Sequence, residues 1–217
     1  MSPSDEPKTP APSELSPLLT KVLARLGGLV LEHTSFRGDD CIHVARENLL
    51  EAARALRDTT DLGFDLLLDV TCIDYFGQPD GFFNGPEAWD RNHEVIRRRA
   101  QWRQRVNVPS RGTEPRFALA YHLTSTRLLH RLRVKSRVPE DDPSIASLSG
   151  LWPGANWLER ETYDLYGIHF KGHPDLRRIY LYDEFVGHPL RKDYGKQDEQ
   201  PIQAYAGPGA DQPRRPR

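Results

Sequence analysis

The sequence is short of the devices by which a protein holds a redox or phosphoryl-transfer cofactor. It has two cysteines, Cys41 and Cys72, in no CxxC pair. Two thiolates cannot build a four-thiolate iron–sulfur or zinc site, and two are too few for a secreted disulfide scaffold. No G-x-G-x-x-G follows an expected strand, and there is no Walker A loop, no G-x-S-x-G elbow and no H-E-x-x-H helix. A long apolar run is missing too: the best stretch, Phe64 to Ile73, is interrupted by Asp65 and Asp69. A membrane-spanning helix needs about 20 predominantly apolar residues, so a transmembrane subunit is excluded. Charge of one sign is also absent. Thirty basic and thirty-one acidic residues leave −1 over 217 residues, so the chain as a whole is no general polyanion binder. The first residues carry Asp5, Glu6 and Glu14, no Arg and no apolar stretch, unlike secretory or mitochondrial leaders. A reducing cytoplasm is expected.

What is present reads as one α+β domain with additions. A mean hydropathy of −0.66 with 37% hydrophobic residues is polar for a globular chain, though not that of a disordered one. Residues 1–14, rich in proline, are expected to form a disordered leader. Ser16-Pro17 opens a helix with an apolar stripe at Leu18, Leu19, Val22, Leu23 and Leu26, closed by Gly27-Gly28. Two strands, Leu29 to Phe36 and Cys41 to Ala45, flank a tight turn at Gly38-Asp39. A second amphipathic helix, Glu47 to Asp58, turns Leu49, Leu50, Ala53 and Leu56 inward. Three strands with period-two patterning follow. In the first, Phe64, Leu66, Leu68, Val70 and Cys72 share a face. In the second, Phe117, Leu119, Tyr121 and Leu123 do. The third sets Leu132, Val134 and Val138 against Arg127, Arg131, Arg133, Lys135 and Arg137, and Ser125-Thr126 would join the last two as a hairpin.

A region from about 77 to 114, turn-rich and then arginine-rich with an expected helix over 86–106, is an insertion between the first two of these strands. Connections of that length are functional or disordered more often than structural. Pro139 to Gly150 reads as a polar linker, Asn156 to Tyr166 as a helix ended by Gly167, and residues 171–217 as an extended C-terminal tail. The order α-β-β-α-β-β-β, then a helix and the tail, predicts a two-layer α+β domain over 15–170 with a mixed sheet.

His169, His173 and His188 could be metal ligands by spacing, but Gly167, Gly172 and Pro174 break any helix there, so a turn is the better reading of Gly-His-Pro. Five cations on one strand face could follow phosphates. Base-stacking aromatics are absent from that face, so a solvated face, or one that pairs with an acidic partner surface, outweighs a nucleic-acid-binding module. The helix at 157–166 puts Trp157, Leu158, Glu161 and Leu165 on one stripe, which would bury Glu161 among large apolar groups and demand a cation for it. Arg160 and Asp164 are four apart and can pair; Arg177, Arg178 and Arg191 are the cations within reach of Glu161.

The run NWLERETYDLYGIHFKGHPDLRRIYL at 156–181, followed by GHPLRKDY at 187–194, closely resembles the 30 kDa subunit family of respiratory complex I, known in the bacterial NADH:quinone oxidoreductase as its C subunit. The resemblance continues upstream through Asp69-Val70-Thr71-Cys72-Ile73-Asp74-Tyr75, Phe117 to Arg137 and Pro139 to Pro143, and spans about 15–195. It implies a non-catalytic assembly subunit of the peripheral arm, on the cytoplasmic face of the bacterial inner membrane and associated with it only through the complex. Neighbours would be the 49 kDa (D-type) subunit and the cluster-bearing B-type subunit. FMN, iron–sulfur clusters and quinone would belong to partner subunits, with no cofactor in this chain. Residues expected to lock the tail or meet neighbours are Glu159, Arg160, Glu161, Asp164, His173, Arg177, Arg178, His188, Arg191, Lys192 and Asp193, with Glu161 more sensitive to substitution than Glu159.

Overall fold

The computed structural model describes residues 15–76, 115–195 and 200. The expected leader, the insertion and most of the tail beyond 195 lie outside them. Ser16 caps helix α1 (Pro17–Leu26): its Oγ accepts from the Leu19 N–H at 2.9 Å and donates to Asp40. Proline at the first helical position costs nothing, because its missing N–H would have had no partner there. Gly27 ends the helix at φ +51°, a conformation that favours glycine. Strands β1 (Val30–Phe36) and β2 (Asp39–Val44) form the hairpin, and α2 (Leu49–Asp58) buries Leu49, Ala52, Ala53 and Leu56. Strands β3 (Leu66–Asp74), β4 (Phe117–Ser125) and β5 (His130–Val138) complete a five-stranded sheet of order β1-β2-β5-β4-β3. Only the central pair, β2 with β5, is parallel. The fold is thus α+β with a mixed sheet.

Register fixes the core. Ile42 pairs with Val134, Val134 with Tyr121, and Tyr121 with Val70, so all four point to one side. That side, with Phe117, Leu119, Leu123, Leu132 and Val138, forms one buried cluster with Leu19 and Val22 of α1, Leu56 of α2 and Ala155 of a third helix. This third helix, α3 (Ala155–Tyr166), lies between two short strands, β6 (Ser144–Ala146) and β7 (His169–Lys171), which pair in parallel.

Three expectations give way here. The stretch 139–150 is more than a polar linker: β6 lies within it, and Ile145 and Leu148 are buried. Arg127 is in the β4–β5 turn, donating to the Thr60 carbonyl at 2.7 Å, off the cationic face of β5. The single apolar face expected for 64–72 is split by a β-bulge between Leu67 and Asp69. A bulge inserts one residue and reverses parity beyond it. Leu67, Val70 and Cys72 therefore face the core, while Leu66 and Leu68 are 41% and 51% exposed. The same parity turns Asp74 inward, 4% exposed. We expect Leu67→Ala to cost about 2–5 kcal/mol and Leu68→Ala less than about 0.5 kcal/mol in urea unfolding of the isolated chain; the reverse ranking would place the bulge elsewhere.

Candidate assembly site

Helix α3 is enclosed on two sides, by the sheet and by the tail, and its polar residues make both contacts. On the sheet side Ala155, Glu159 and Thr162 are buried. Thr162 Oγ1 donates to the Val70 carbonyl (3.2 Å) or its own Leu158 carbonyl (3.0 Å). Glu159, fully buried, accepts from Ser147 Oγ at 2.6 Å and from the Leu148 N–H at 2.6 Å. The expectation for this helix is thereby inverted. Trp157 is 63% exposed and Glu161 is only half-buried, so the carboxylate enclosed by the domain is Glu159. It meets a hydroxyl and an amide where a cation had been expected. Burial consequently pushes its pKa up to about 7, against smaller lowering contributions from these two hydrogen bonds.

The tail side is organised by Asp164, also fully buried. Its Oδ2 accepts three successive backbone N–H groups, from Ile179, Tyr180 and Leu181, at 3.0, 2.8 and 3.0 Å, and its Oδ1 receives Arg178 at 3.0 Å. Consecutive amides pointing at one oxygen make an anion nest, filled here by the protein's own carboxylate. Burial alone would raise the Asp164 pKa. The three amides and Arg178 outweigh it and hold the group below the usual carboxylate range.

One turn further, α3 ends at Gly167 in the left-handed conformation, φ +73°. A helix leaves its last carbonyls unpartnered, and the tail supplies donors to them in order. His188 Nδ1 reaches the Asp164 carbonyl at 2.9 Å, the Leu190 N–H reaches that of Leu165 at 3.2 Å, and Arg191 Nε reaches that of Tyr166 at 2.5 Å. Burial lowers the His188 pKa, which keeps the ring neutral and its Nδ1–H a donor. Glycine at 167 has a second reason: a Cβ there would come within 2.5 Å of both His188 and Arg191.

Earlier in the tail, Arg160 Nε donates to the Arg177 carbonyl at 3.1 Å and its guanidinium stacks on Trp157. Arg177 itself pairs with Asp175. His173 accepts the Asp175 N–H on Nδ1, so its Nε2 is the donor to the Asn156 carbonyl at 3.1 Å. The four-apart pairing of Arg160 with Asp164 is replaced by these contacts, and Arg178 and Arg191 serve Asp164 and a helix carbonyl.

The tail's far end is held by Arg116, which the sequence pattern did not single out. Its side chain is 1% exposed, between the rings of Phe76 (4.6 Å) and Phe117 (4.8 Å). It forks onto Asp74 at 3.0 and 2.8 Å and onto Asp193 at 3.0 and 2.7 Å, and reaches Glu140 at 2.5 Å. The Lys192 N–H adds a bond to Asp74 at 2.8 Å. Burial opposes the charge on Arg116, but the three carboxylates raise its pKa, and Arg116 in turn lowers that of Asp193. One sequence signal could have found it: the face of Val70 and Cys72 continues by period two to Asp74, and a carboxylate turned inward there requires a cation beside it.

Among the described residues no group of three His, Cys, Asp or Glu side chains could hold a metal ion. Burial raises the pKa of both thiols and keeps them protonated. The geometry describes a device for fixing a chain segment. The profile of the family described as respiratory-chain NADH dehydrogenase, 30 Kd subunit, matches residues 42–200.

The chain belongs to this 30 kDa subunit family.

It is 39% identical over 176 residues to the NADH-quinone oxidoreductase C subunit of Citrifermentans bemidjiense, covering 81% of this chain and 86% of that protein. It is 41% identical over 177 residues to the corresponding C subunit of Legionella pneumophila strain Paris, covering 82% and 76%. A solved trypsin-resistant fragment of Nqo5 aligns at 32% identity with a TM-score of 0.50, over 73% of this chain and 99% of the fragment. A chain of an archaeal membrane-bound sulfane sulfur reductase shares the fold at 19% identity and TM-score 0.57, over 82% and 84%. As a member of the 30 kDa family the chain is a non-catalytic subunit of the peripheral arm of complex I, the respiratory-chain NADH-quinone oxidoreductase.

Two buried groups yield predictions. Glu159 binds a proton more tightly folded than unfolded, so wild-type stability should fall as pH rises from about 4.5 to about 7 and then level. Glu159→Gln keeps the acceptor for the Leu148 N–H and can donate its NH2 to Ser147 Oγ in place of accepting from it. It should be more stable than wild type by about 2–3 kcal/mol at pH 8, with little difference at pH 4; urea titrations at the two pH values read this. Arg116→Ala strands Asp74 in the interior and should cost about 3–5 kcal/mol. Asp193→Asn, at a side chain 42% exposed, should cost no more than about 1 kcal/mol in the same measurement.

Proposed function

We propose that this chain holds the quinone-reducing part of the enzyme together, its domain and tail docking against the 49 kDa (D-type) subunit and the cluster-bearing B-type subunit. In this reading electrons pass from NADH through FMN and iron–sulfur clusters to quinone entirely within partner subunits, coupled to proton translocation elsewhere in the complex. The observation that carries it is the division of labour in the tail. Its backbone is fixed by Asp164, Arg116 and the end of α3, while Tyr180, Val186 and Leu190 are left 65%, 70% and 49% exposed. Large apolar side chains held outward on a pinned backbone have their ordering entropy spent in advance, which favours association.

No helix among the described residues is long and apolar enough to cross a membrane; in this reading the chain attaches to the cytoplasmic face of the inner membrane through the other subunits alone. The roles of Asp164, His173, His188, Arg191, Lys192 and Asp193 in this reading are to present the tail, whereas Glu159 supports α3 from beneath. The test is complementation of a strain lacking the chain with Asp164→Asn or Arg191→Ala. We expect the amount of assembled complex, read on native gels of membranes, to fall severalfold, with quinone reduction per assembled complex close to wild type. Variants that assemble fully but lose turnover per complex would make these residues catalytic and overturn the reading.

A further inference from the structure

The face of the sheet turned away from the helices carries a second surface, separate from the tail. Register places it row by row. Glu32 pairs with His43, His43 with Lys135, Lys135 with Ala120 and Ala120 with Thr71. The next row runs Thr34, Cys41, Arg133, His122 and Asp69. Arg131 lies opposite Thr124 and Arg137 opposite Ala118. The central strand thus presents Arg131, Arg133, Lys135 and Arg137 on one side, spaced by ~6.8 Å.

Like charges in a row repel unless something offsets them. Arg131, Arg133 and Lys135 meet no carboxylate at ion-pair distance among the described residues. Arg133 Nε and Thr124 Oγ1 are shielded by the protein yet hydrogen-bonded to nothing. The two histidines beside the cations add no charge, since burial, reinforced by Lys135 at His43 and by Arg133 at His122, lowers their pKa. At the margin of this cationic centre are Leu66 and Leu68 on β3 and Phe36 on β1, all more than 40% exposed. Arginine and aromatic residues are enriched at protein–protein contacts, and a charged centre of this kind contributes steering and register through electrostatic complementarity.

We propose that the outer face of the sheet, centred on Arg131, Arg133 and Lys135, docks an acidic surface of a neighbouring subunit in the complex; this rests on the assembly reading above. Carboxylates are the complement the geometry asks for, because arginine forks onto them in pairs. Over the whole insertion at 77–114 seven arginines outnumber five carboxylates, but Asp80, Glu87, Asp90 and Glu94 lie together in its first half, so a crosslink from position 131 to that segment would also overturn the proposal. A nucleic acid would want exposed aromatics among the cations for stacking, and β4 and β5 place alanine, threonine and histidine there.

The experiment uses the full chain in the assembled complex. A photo-crosslinking benzoylphenylalanine replaces Arg131, at the exposed end of the row, and the irradiated complex is digested and its linked peptides identified by mass. The expected product joins position 131 to a peptide rich in Asp or Glu from another subunit. In parallel, Arg133→Glu with Lys135→Glu should leave the urea midpoint of the isolated chain nearly unchanged while lowering its incorporation about tenfold, as like-charge juxtaposition does at interfaces. Crosslinks to this chain's own residues 1–14, to lipid or to RNA would each overturn the proposal. So would a complex in which position 131 links to nothing and the double reversal assembles normally. That last result, with tail variants still impaired, would leave the tail's role standing; a wild-type chain absent from the complex would remove both readings together.

Discussion

A buried guanidinium needs negative charge on every side it can reach, and Arg116 draws that charge from three separate parts of the chain. Asp74 comes from the end of β3, Glu140 from just beyond β5 and Asp193 from the tail. Asp74 cannot part from Arg116 without leaving an uncompensated ion in the interior, a cost of several kcal/mol. The half-exposed Glu140 and Asp193 add weaker bonds that tether their segments to it. The position of Arg116 therefore fixes how the tail leaves the domain. Asp164 and the open carbonyls of α3 then determine the path it follows.

This explains a helix whose composition looks wrong for its place. A surface helix buries one stripe and dissolves the other, and by that rule the stripe of Trp157, Glu161 and Leu165 should face inward. Helix α3 is covered twice, so both contact faces need side chains with partners. Glu159 and Thr162 bond the sheet side, and Arg160 and Asp164 bond the tail. The apolar residues are then free to line the flanks, and Trp157 stacks with Arg160 outside.

Much of the fold was legible because β4 and β5 are regular: Phe117, Leu119, Tyr121 and Leu123 alternate without a break, and Leu132, Val134 and Val138 do so with only Ser136 interrupting. Ser16-Pro17 and Gly167 marked helix ends by chemistry that is local and needs no tertiary context. What could not be read depended on distant groups. The bulge at Leu68 is a feature of pairing with β4, β6 and β7 are three residues long and stable only together, and Arg116 has meaning only once Asp74 turns inward. Asp164, His188 and Arg191 were visible as polar groups from spacing and charge, but their separate tasks emerged only from geometry.

The parallel pairing at the centre of the sheet carries a consequence for how the molecule comes into being. Cys41 on β2 is paired with Arg133 on β5, a separation of 133 − 41 = 92 residues. At roughly 5–20 residues per second, about 5–18 s of synthesis separate the two. For that interval β2 has an unpaired inner edge bearing Ile42 and Val44, the kind of edge on which another nascent chain can add. Contacts of such long range also slow folding after release. The β1–β2 hairpin and its helices must wait for the later strands, so the period in which this subunit is most exposed to mispairing falls before any neighbouring subunit can recognise it.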